Sequence, residues 1–177
     1  MPISQKAQYV LRALFELAKR QGDGPVSASE IADTQAIPHR FLELILQSLR
    51  AEGLVDSRRG IGGGYLLAVD PKEISVADII RLVDGSLSPV LCKSGRSSDD
   101  CPLIGKCPFK KMWLRAKAAA EIVYSNTSLA DIVEDEKSHT ENNENLCLGN
   151  FQAEEVGPPE DNGSLIQGNG QSEEIDP

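Results

Sequence analysis

"PVSASEIADTQAIPHRFLELILQSLRAEGLVDSRRGIGGGYLL", residues 25–67, contains two helix signals and one hairpin signal in immediate succession. Ser27 followed three residues later by Glu30 has the spacing of a capping box and predicts a short helix. Pro38 stands where the first residue of a second helix belongs, and Gly53 predicts the end of that helix. Two short helices joined by a tight turn predict a helix-turn-helix. The second helix carries an apolar stripe at helical spacing, formed by Phe41, Leu42, Ile45, Leu46 and Leu49.

The pattern then changes to one that is typical of strands. Residues 54–59 (LVDSRR) and 65–69 (YLLAV) flank a glycine-rich turn, which predicts a β-hairpin. A helix-turn-helix followed by a hairpin is a winged helix. We therefore predict a mainly α fold with a small β-hairpin, in which a long helix follows the winged helix-turn-helix domain.

The four glycines of the turn favour a wing over a phosphate-binding loop. A phosphate loop needs a helix directly after the glycines, so that the helix N-terminus faces the phosphate. Here a β-prone segment follows, and no Gly-Lys-Ser or Gly-Lys-Thr closes the loop. A wing that approaches another surface closely is the favoured interpretation, and a plain solvated turn is the alternative. The glycines are Gly60, Gly62, Gly63 and Gly64.

Four further helices are predicted outside this stretch. Ser4 is placed to cap the first helix, and the GDGP sequence at residues 22–25 ends it. The SVAD sequence at residues 75–78 caps a helix after the hairpin. A long helix is expected from about Pro108 to Ser125, and the SLAD sequence at residues 128–131 caps a last short helix.

The acidic balance of the chain belongs to its C-terminal end. The net charge is −9, yet residues 1–91 carry 10 Lys and Arg against 11 Asp and Glu, and residues 92–130 carry 7 against 3. Residues 131–177 carry 1 against 13. The total therefore does not exclude a nucleic-acid partner. From Glu134 the composition is polar, which predicts a disordered acidic tail.

The helix that begins at Pro38 is the predicted reading helix, because the second helix of a helix-turn-helix enters the major groove with its N-terminal residues first. Arg40 is placed to contact a phosphate or a guanine edge, and Glu43 to accept a hydrogen bond from cytosine N4. His39 can donate to a phosphate or a base, and Gln47 lies one turn further on. A solvated helix face is the alternative, and the neighbouring wing favours DNA reading.

The wing adds cations beside a slim turn. Arg58 and Arg59 precede Gly60, and an arginine next to a glycine turn can enter a minor groove, where negative potential is concentrated. We therefore predict DNA contacts at these three residues. The partner would be double-stranded DNA.

Three of the four cysteines, Cys92, Cys101 and Cys107, fall within sixteen positions. The chain has no long apolar run and no basic-then-apolar leader, so we expect a soluble cytoplasmic protein without a membrane partner. In a reducing cytosol, clustered cysteines are more often metal ligands or redox switches than disulfides. Thiolates favour iron–sulfur clusters, zinc and Cu(I).

The cysteine spacing favours a cluster over a single zinc ion. The gaps are eight and five residues, whereas structural zinc sites often use closer pairs and take four protein ligands. No nearby histidine supplies a fourth ligand. Nearby cations would offset the charge of a thiolate-bound cluster and keep the thiolates ionised. They are Lys93, Arg96, Lys106, Lys110 and Lys111.

From residue 1 to about 133 the chain resembles the Rrf2 family of bacterial transcription regulators, including its iron–sulfur cluster, nitric-oxide-sensitive and rhizobial iron regulator branches. The resemblance lies in AQYVLRALFELA (7–18), in residues 25–67, in ISVADIIRLVDG (74–85) and in the cysteine triplet. It implies a homodimeric repressor that binds a palindromic operator through two reading helices and two wings. It implies that the long helix is a dimerisation helix that crosses its partner.

The resemblance also implies roles for particular residues. Glu43 and Arg59 match DNA contacts of the family, and Cys92, Cys101 and Cys107 match the ligands of an iron–sulfur cluster, either [4Fe–4S] or [2Fe–2S]. The fourth ligand stays open. Lys110 occupies the place of a histidine found in one branch, and Gln8 the place of a carboxylate that the partner subunit supplies in others. A nearby carboxylate, Cys147, water or a small thiol are the other candidates.

An incompletely ligated cluster predicts a sensor of iron, nitric oxide or redox state. A clusterless regulator with a thiol switch or a zinc site is the alternative, and a single-cluster electron carrier a more distant one. No enzyme is expected, since no nucleophile–base pair or paired carboxylates stand in a recognisable setting. The predicted domains are 1–85 (winged helix), 86–107 (cluster-binding loop), 108–133 (dimerisation helix and short terminal helix) and 134–177 (acidic tail).

Overall fold

The computed structural model describes residues 3–85, 87, 103 and 106–142, and of the last four of these the backbone alone. It confirms the mainly α fold with one antiparallel β-hairpin. The elements, in chain order, are α1 (Gln5–Lys19), α2 (Ala28–Gln35), α3 (His39–Ala51), β1 (Val55–Arg58), β2 (Gly64–Leu67), a 3₁₀ turn (Pro71–Glu73), α4 (Val76–Asp84), α5 (Lys110–Ser125) and α6 (Leu129–Asn142).

The helix-turn-helix forms with two differences from the predicted caps. The Ser27 hydroxyl accepts a hydrogen bond from the Glu30 amide at 3.2 Å, which caps α2 as expected. The Glu30 carboxylate does not complete a capping box, because it pairs with Arg20 of α1 instead. Ala36 ends α2 in the left-handed region at φ 47°, and Pro38 is the N-cap of α3 rather than its first helical residue.

The hairpin is tied to the helices by a third extended segment. β1 and β2 pair antiparallel, with Val55 opposite Leu67 at the open end. The residue before the α2 cap, Val26, exchanges two backbone hydrogen bonds with Tyr65 of β2, at 2.9 and 2.8 Å. The wing is therefore fixed to the start of the helix-turn-helix by backbone hydrogen bonds as well as by its own connection to α3.

The core lies between α1, α2, α3 and the base of the hairpin. Helix α1 contributes Leu14 and Leu17, α2 contributes Ile31, and β1 contributes Val55, all at most 2% exposed. Each element carries one apolar stripe, and the stripes meet in a single cluster. The largest fully buried apolar side chains of α3 in this cluster are Leu42, Ile45, Leu46 and Leu49.

A buried carboxylate sits among these apolar groups. The Glu16 side chain is 1% exposed, and its two oxygens accept hydrogen bonds from Arg20 Nε at 2.9 Å and from Gln35 Nε2 at 2.8 Å. Arg20 also pairs with Glu30, and that hydrogen bond raises the pKa of the guanidinium. Because Gln35 and Glu30 belong to α2, the network joins α1 to α2 and orients the helix-turn-helix.

Helix α5 leaves this core, and α6 returns to it. No side chain of α5 is buried. After α5, the Val76 amide donates to Thr127 O at 2.9 Å, and α6 inserts Leu129 and Val133 into the core. The Ser128 hydroxyl and amide donate to Asp131, which lowers the pKa of that carboxyl and caps α6 as predicted.

The predicted tail boundary is too early. Helix α6 has 14 residues and extends to Asn142, so residue 134 lies within it, and the helix is not the short one expected. The buried Val133 and an ion pair of 2.7 Å between Lys19 and Glu136 hold this part of α6 against α1, a tertiary contact that polar composition does not show. The long helix begins at Lys110 and ends, as predicted, at Ser125. Among the described helices, none is long and apolar enough to cross a membrane.

We expect Glu16→Ala to lower the free energy of unfolding by about 2–3 kcal/mol, because it leaves the Gln35 amide and the Arg20 guanidinium without a buried acceptor. Urea denaturation followed by circular dichroism measures the change. Glu52→Ala, at an exposed position just after α3, is the matched control and should change stability by less than about 0.5 kcal/mol. Equal losses in the two variants would contradict the role of the network.

Candidate nucleic-acid interface and cysteine segment

Helix α3 presents a polar face to solvent. Because its apolar stripe is buried, residues on the opposite side point outwards by helical geometry. Arg40, Glu43 and Gln47, three of the predicted reading residues, are all exposed on this side. They lie within the first nine residues of the helix, the part that enters a major groove first.

His39 connects the reading face to α2. Its Nε2 atom lies 3.3 Å from the Ser29 hydroxyl, and its Nδ1 atom lies 3.7 Å from a Glu43 carboxylate oxygen. The imidazole is therefore placed beside Glu43 and near the α2 N-terminus. The sequence predicted a direct DNA contact for His39, and in the structure the imidazole lies beside the Glu43 carboxylate.

The wing tip is exposed as predicted. Arg58, Arg59 and Gly60 are all solvent-exposed, as is Ile61 at the turn. Gly60 and Gly62 have φ values of 104° and 75°, which L side chains rarely adopt, so the turn requires glycine at both positions. Within the described part of the chain, no ion pair engages either arginine.

The other two glycines serve a purpose that the sequence analysis missed. A Cβ atom on Gly64 would lie 2.3 Å from Val26 O, and one on Gly63 would lie 2.4 Å from Arg58 O. Gly64 therefore permits the close backbone approach between the hairpin and the segment before α2. The predicted close approach to another surface is, at Gly64, an approach to the protein's own backbone. The glycine pattern alone does not distinguish the two.

An aromatic contact fixes α1 against the start of α3. The rings of Tyr9 and Phe41 meet edge to face, with centroids 5.8 Å apart, and the Arg12 guanidinium lies 5.9 Å from the Tyr9 centroid. Phe41 belongs to the predicted apolar stripe, and it is 43% exposed whereas the other four members are buried. It lies at the edge of the stripe, where α1 covers only one side of the ring.

Of the predicted cluster ligands, the structure describes Cys107 alone. This residue is half-buried and lies three positions before the first residue of α5, and its carbonyl accepts a hydrogen bond from the Lys110 amide at 3.3 Å. Cys92, Cys101 and Cys147 lie outside the described residues. The described neighbours Lys106, Lys110 and Lys111 are exposed cations.

The donor set fits an iron–sulfur cluster in type, since cysteine thiolates are the usual protein ligands of such a group, and the three cysteines supply three of the usual four. Gln8, one candidate for the fourth position, donates a hydrogen bond from Nε2 to Ile3 O at 2.9 Å. Its amide nitrogen is thus engaged within its own chain.

The winged helix and its exposed reading face define a DNA-binding type of regulator, and comparison with known families confirms that class. The chain belongs to the Rrf2 family: the model described as "Rrf2: Iron-dependent Transcriptional regulator" matches residues 3–135. The family resemblance seen in the sequence is therefore confirmed. Rrf2 proteins are transcription regulators and not enzymes, so no catalytic site is assigned.

Particular relatives cover most of the chain. The HTH-type transcriptional regulator CymR of Bacillus subtilis is 38% identical over 132 residues, which make up 75% of this chain and 89% of that protein. The HTH-type transcriptional regulator IscR of Yersinia pestis is 32% identical over 133 residues, or 75% and 79% of the two chains.

Solved structures of CymR and IscR proteins are similar to this chain along most of its length. The structure of CymR, the global cysteine regulator of B. subtilis, is similar with a TM-score of 0.63 at 36% identity and covers 76% of this chain and 98% of its own. The structure of T. potens IscR has a TM-score of 0.60 at 35% identity, with 78% and 90% covered. The fold of this chain is therefore that of the Rrf2 winged-helix regulators.

We expect Gly64→Ala to destabilise the protein by at least ~2 kcal/mol, because the added Cβ must break the paired hydrogen bonds between Val26 and Tyr65. Gly62→Ala is the comparison: its Cβ meets no atom within 4 Å, so it carries only the conformational cost of a positive φ, about 1–2 kcal/mol. Thermal or urea unfolding measures both. A loss at Gly62 that exceeds the loss at Gly64 would show that the close approach is not the constraint.

Proposed function

We propose that this protein is a homodimeric transcription repressor that binds a palindromic operator through α3 and the wing, and that it senses iron, nitric oxide or redox state through an iron–sulfur cluster. The single observation that carries the DNA-binding half is the exposed face of α3 next to an exposed arginine wing. Such a protein acts in the cytoplasm, where its operator is.

Helix α3 would read bases in the major groove. Arg40 has the chemistry to bind a phosphate or the O6 and N7 atoms of guanine. Glu43 has only acceptor oxygens and is repelled by phosphate, so its partner would be cytosine N4. The contact with His39 would restrict the Glu43 rotamer, and Gln47 would extend the reading face by one turn.

The wing would contribute minor-groove and backbone contacts. Arg58 and Arg59 project from the hairpin beside Gly60, and two guanidinium groups on a narrow turn suit the concentrated negative potential of a narrow minor groove. Val26 and Tyr65 hold the hairpin to the helix-turn-helix, so the wing and α3 would dock as one body.

Helix α5 would be the dimer interface. It has 16 residues, or about 24 Å of helix, and no buried side chain. Burial of apolar area is the main gain in subunit association, and the helix offers such area along its length. A second copy of the helix would cover it and would set the spacing of two α3 helices. The exposed apolar side chains are Met112, Leu114, Ile122 and Val123, at 45–51% exposure.

Cys92, Cys101 and Cys107 would hold the cluster. When bound, it would supply iron that reacts with nitric oxide and oxygen and that is lost when iron is scarce. Cys107 lies three positions before Lys110, the first residue of α5. A change in the cysteine segment would therefore reach the proposed dimer helix within three residues.

A series of side-chain contacts connects α5 to the helix-turn-helix. Arg81 of α4 donates to Glu121 and Ser125 of α5, at 3.2 and 3.4 Å. At the end of α4, Asp84 accepts from the amide of Ser4, the α1 cap, at 2.9 Å. Helix α1 in turn contacts α3 through the Tyr9–Phe41 ring pair. We propose that a shift of α5 changes the separation of the two reading heads along this series of contacts.

A second candidate function is a clusterless regulator in which the cysteines form a thiol switch or zinc site. The similarity to CymR favours it: one related structure is that of the global cysteine regulator of B. subtilis, and another is the oxidised form of Staphylococcus aureus CymR, at 36% identity and a TM-score of 0.59. An electron carrier is disfavoured, since it has no use for a reading helix and an arginine wing.

The domain assignment follows the same proposal. Residues 1–85 would form the DNA-binding domain, and residues 86–107 the cysteine segment. Helices α5 and α6 would form the dimer unit, which extends to Asn142 because α6 does.

We expect Arg59→Ala to weaken binding of a selected operator roughly tenfold and to reduce the slope of log K against log salt by about 1.8, because one phosphate contact, worth about 0.9, is lost in each of the two subunits. Fluorescence anisotropy at several salt concentrations measures both quantities. Lys72→Ala, which removes a cation outside α3 and the hairpin, is the control and should leave the slope unchanged. An Arg59 variant with wild-type affinity and slope would rule out the wing contact.

We expect Glu43→Ala to relax base preference at one position per half-site while keeping overall affinity within about tenfold, because one base contact contributes ~1–3 kcal/mol of discrimination. Selection from a random DNA library by wild type and variant, followed by sequencing, measures the preference. His39→Ala should relax the same position partly. Unaltered preference in both variants would contradict the docking of α3.

We expect anaerobically purified protein to absorb near ~400 nm with matched iron and sulfide, the signature of a thiolate-ligated cluster. Cys101→Ala should lose the absorbance and stay dimeric by light scattering, while Lys72→Ala, an exposed position outside the cysteine segment, is the control and should keep the absorbance. A wild-type protein that stays colourless and iron-free after reconstitution would replace the cluster with the thiol-switch or zinc function. That result would leave DNA binding untouched.

A further inference from the structure

One apolar side chain stands in the centre of the polar face of α3. Leu44 is 60% exposed, whereas its neighbours Leu42, Ile45 and Leu46 are at most 2% exposed. Among the large apolar side chains of the described residues, only Ile61 at the wing tip is more exposed. The two most exposed apolar groups therefore lie on the same two elements as the reading residues.

Helical geometry places Leu44 among groups that contact bases. At 100° per residue, Leu44 is nearly opposite the middle of the buried stripe and lies between Arg40, one turn earlier, and Gln47, almost one turn later. Core packing does not account for a leucine there. An exposed leucine within a polar surface would gain by burial against a partner that offers an apolar group at the same depth.

The major groove of DNA offers one such group. Each base edge presents hydrogen-bond donors and acceptors, and thymine alone among the four bases adds a methyl group, at C5. A side chain without donors or acceptors gains nothing from the polar edges and gains burial against that methyl.

We propose that Leu44 is a specificity-determining residue that reads the C5-methyl group of a thymine in each half-site, an inference that rests on the proposed DNA-binding function. Arg40 and Gln47 would bind polar groups on either side of it. The thymine would therefore lie within the contacted part of the half-site, next to the positions read by those two side chains.

The test removes the methyl group from the DNA and the isobutyl group from the protein. After an operator has been selected, each thymine is replaced singly by deoxyuridine, which keeps the same hydrogen-bonding edge. At the contacted thymine, we expect binding about four-fold weaker per half-site, the effect of one buried methyl group, and about fifteen-fold weaker when both half-sites are changed. Fluorescence anisotropy with the full-length protein measures each dissociation constant.

The protein variants complete a double-mutant cycle. Leu44→Ala should weaken binding of the thymine operator and show no further loss with deoxyuridine. Leu44→Gln should shift the selected base from thymine toward adenine, because glutamine pairs with adenine N6 and N7. Leu82→Ala, which truncates an apolar side chain of 43% exposure on α4, is the control and should keep the full deoxyuridine effect.

The outcomes separate this inference from the proposed function. A wild-type protein that selects no operator contradicts the proposed DNA binding, and it contradicts the thymine contact of Leu44 as well. An operator that tolerates deoxyuridine at every position, or a Leu44→Ala protein that keeps the deoxyuridine effect, overturns the thymine contact and leaves the proposed function standing.

Discussion

The apolar stripe of α3 is buried on one side only, and this constraint determines what the rest of the protein can do. Leu42, Ile45, Leu46 and Leu49 pack into the cluster formed by α1, α2 and the hairpin base. A helix with such a stripe has its orientation fixed by the apolar area that it buries. Its opposite face is thereby presented to solvent with Arg40, Glu43 and Gln47 on it. The proposed DNA surface is thus a consequence of core packing.

Polar contacts refine the arrangement that apolar burial establishes. Apolar burial is not directional, so it leaves some freedom in how α1 and α2 are set against each other. The Glu16 network removes that freedom with directed hydrogen bonds, and it is stable because both carboxylate oxygens have donors. The bonds between Val26 and Tyr65 do the same for the wing. Both sets of hydrogen bonds tie α3 and the hairpin to the same core, which the proposed docking on adjacent grooves would require.

The regular parts of the fold were predictable because local chemistry determines them. Capping residues such as Ser4, Ser75 and Ser128 each accept the expected amide hydrogen bond, and the hairpin forms between the predicted strands. The errors arise where long-range contacts decide. Glu30 pairs with Arg20 and does not complete a capping box. Helix α6 continues through a polar sequence because Val133 is buried in the core and Lys19 of α1 pairs with Glu136.

In the candidate site, too, some features follow from local sequence patterns and others depend on long-range contacts. The exposure of Arg40, Glu43, Arg58 and Arg59 follows from helix and hairpin periodicity, which a sequence shows directly. The role of Gly64 depends on a contact with a segment 38 positions earlier, which no local pattern reports. Leu44 lies outside the apolar stripe by the same periodicity. Its residue type is nevertheless typical of a buried position in an amphipathic helix, so the sequence does not single it out as a contact residue.

The spacing of half-sites in DNA selected by the full-length protein tests the central claim most directly. A dimer with two reading heads should enrich a palindrome whose half-site centres are one helical turn apart, about 34 Å, or a multiple of it. Sequencing of the selected pool reads this spacing without any variant or cofactor. Enrichment of a single unrepeated motif, or of none, would contradict a dimer that reads DNA through α3 and the wing.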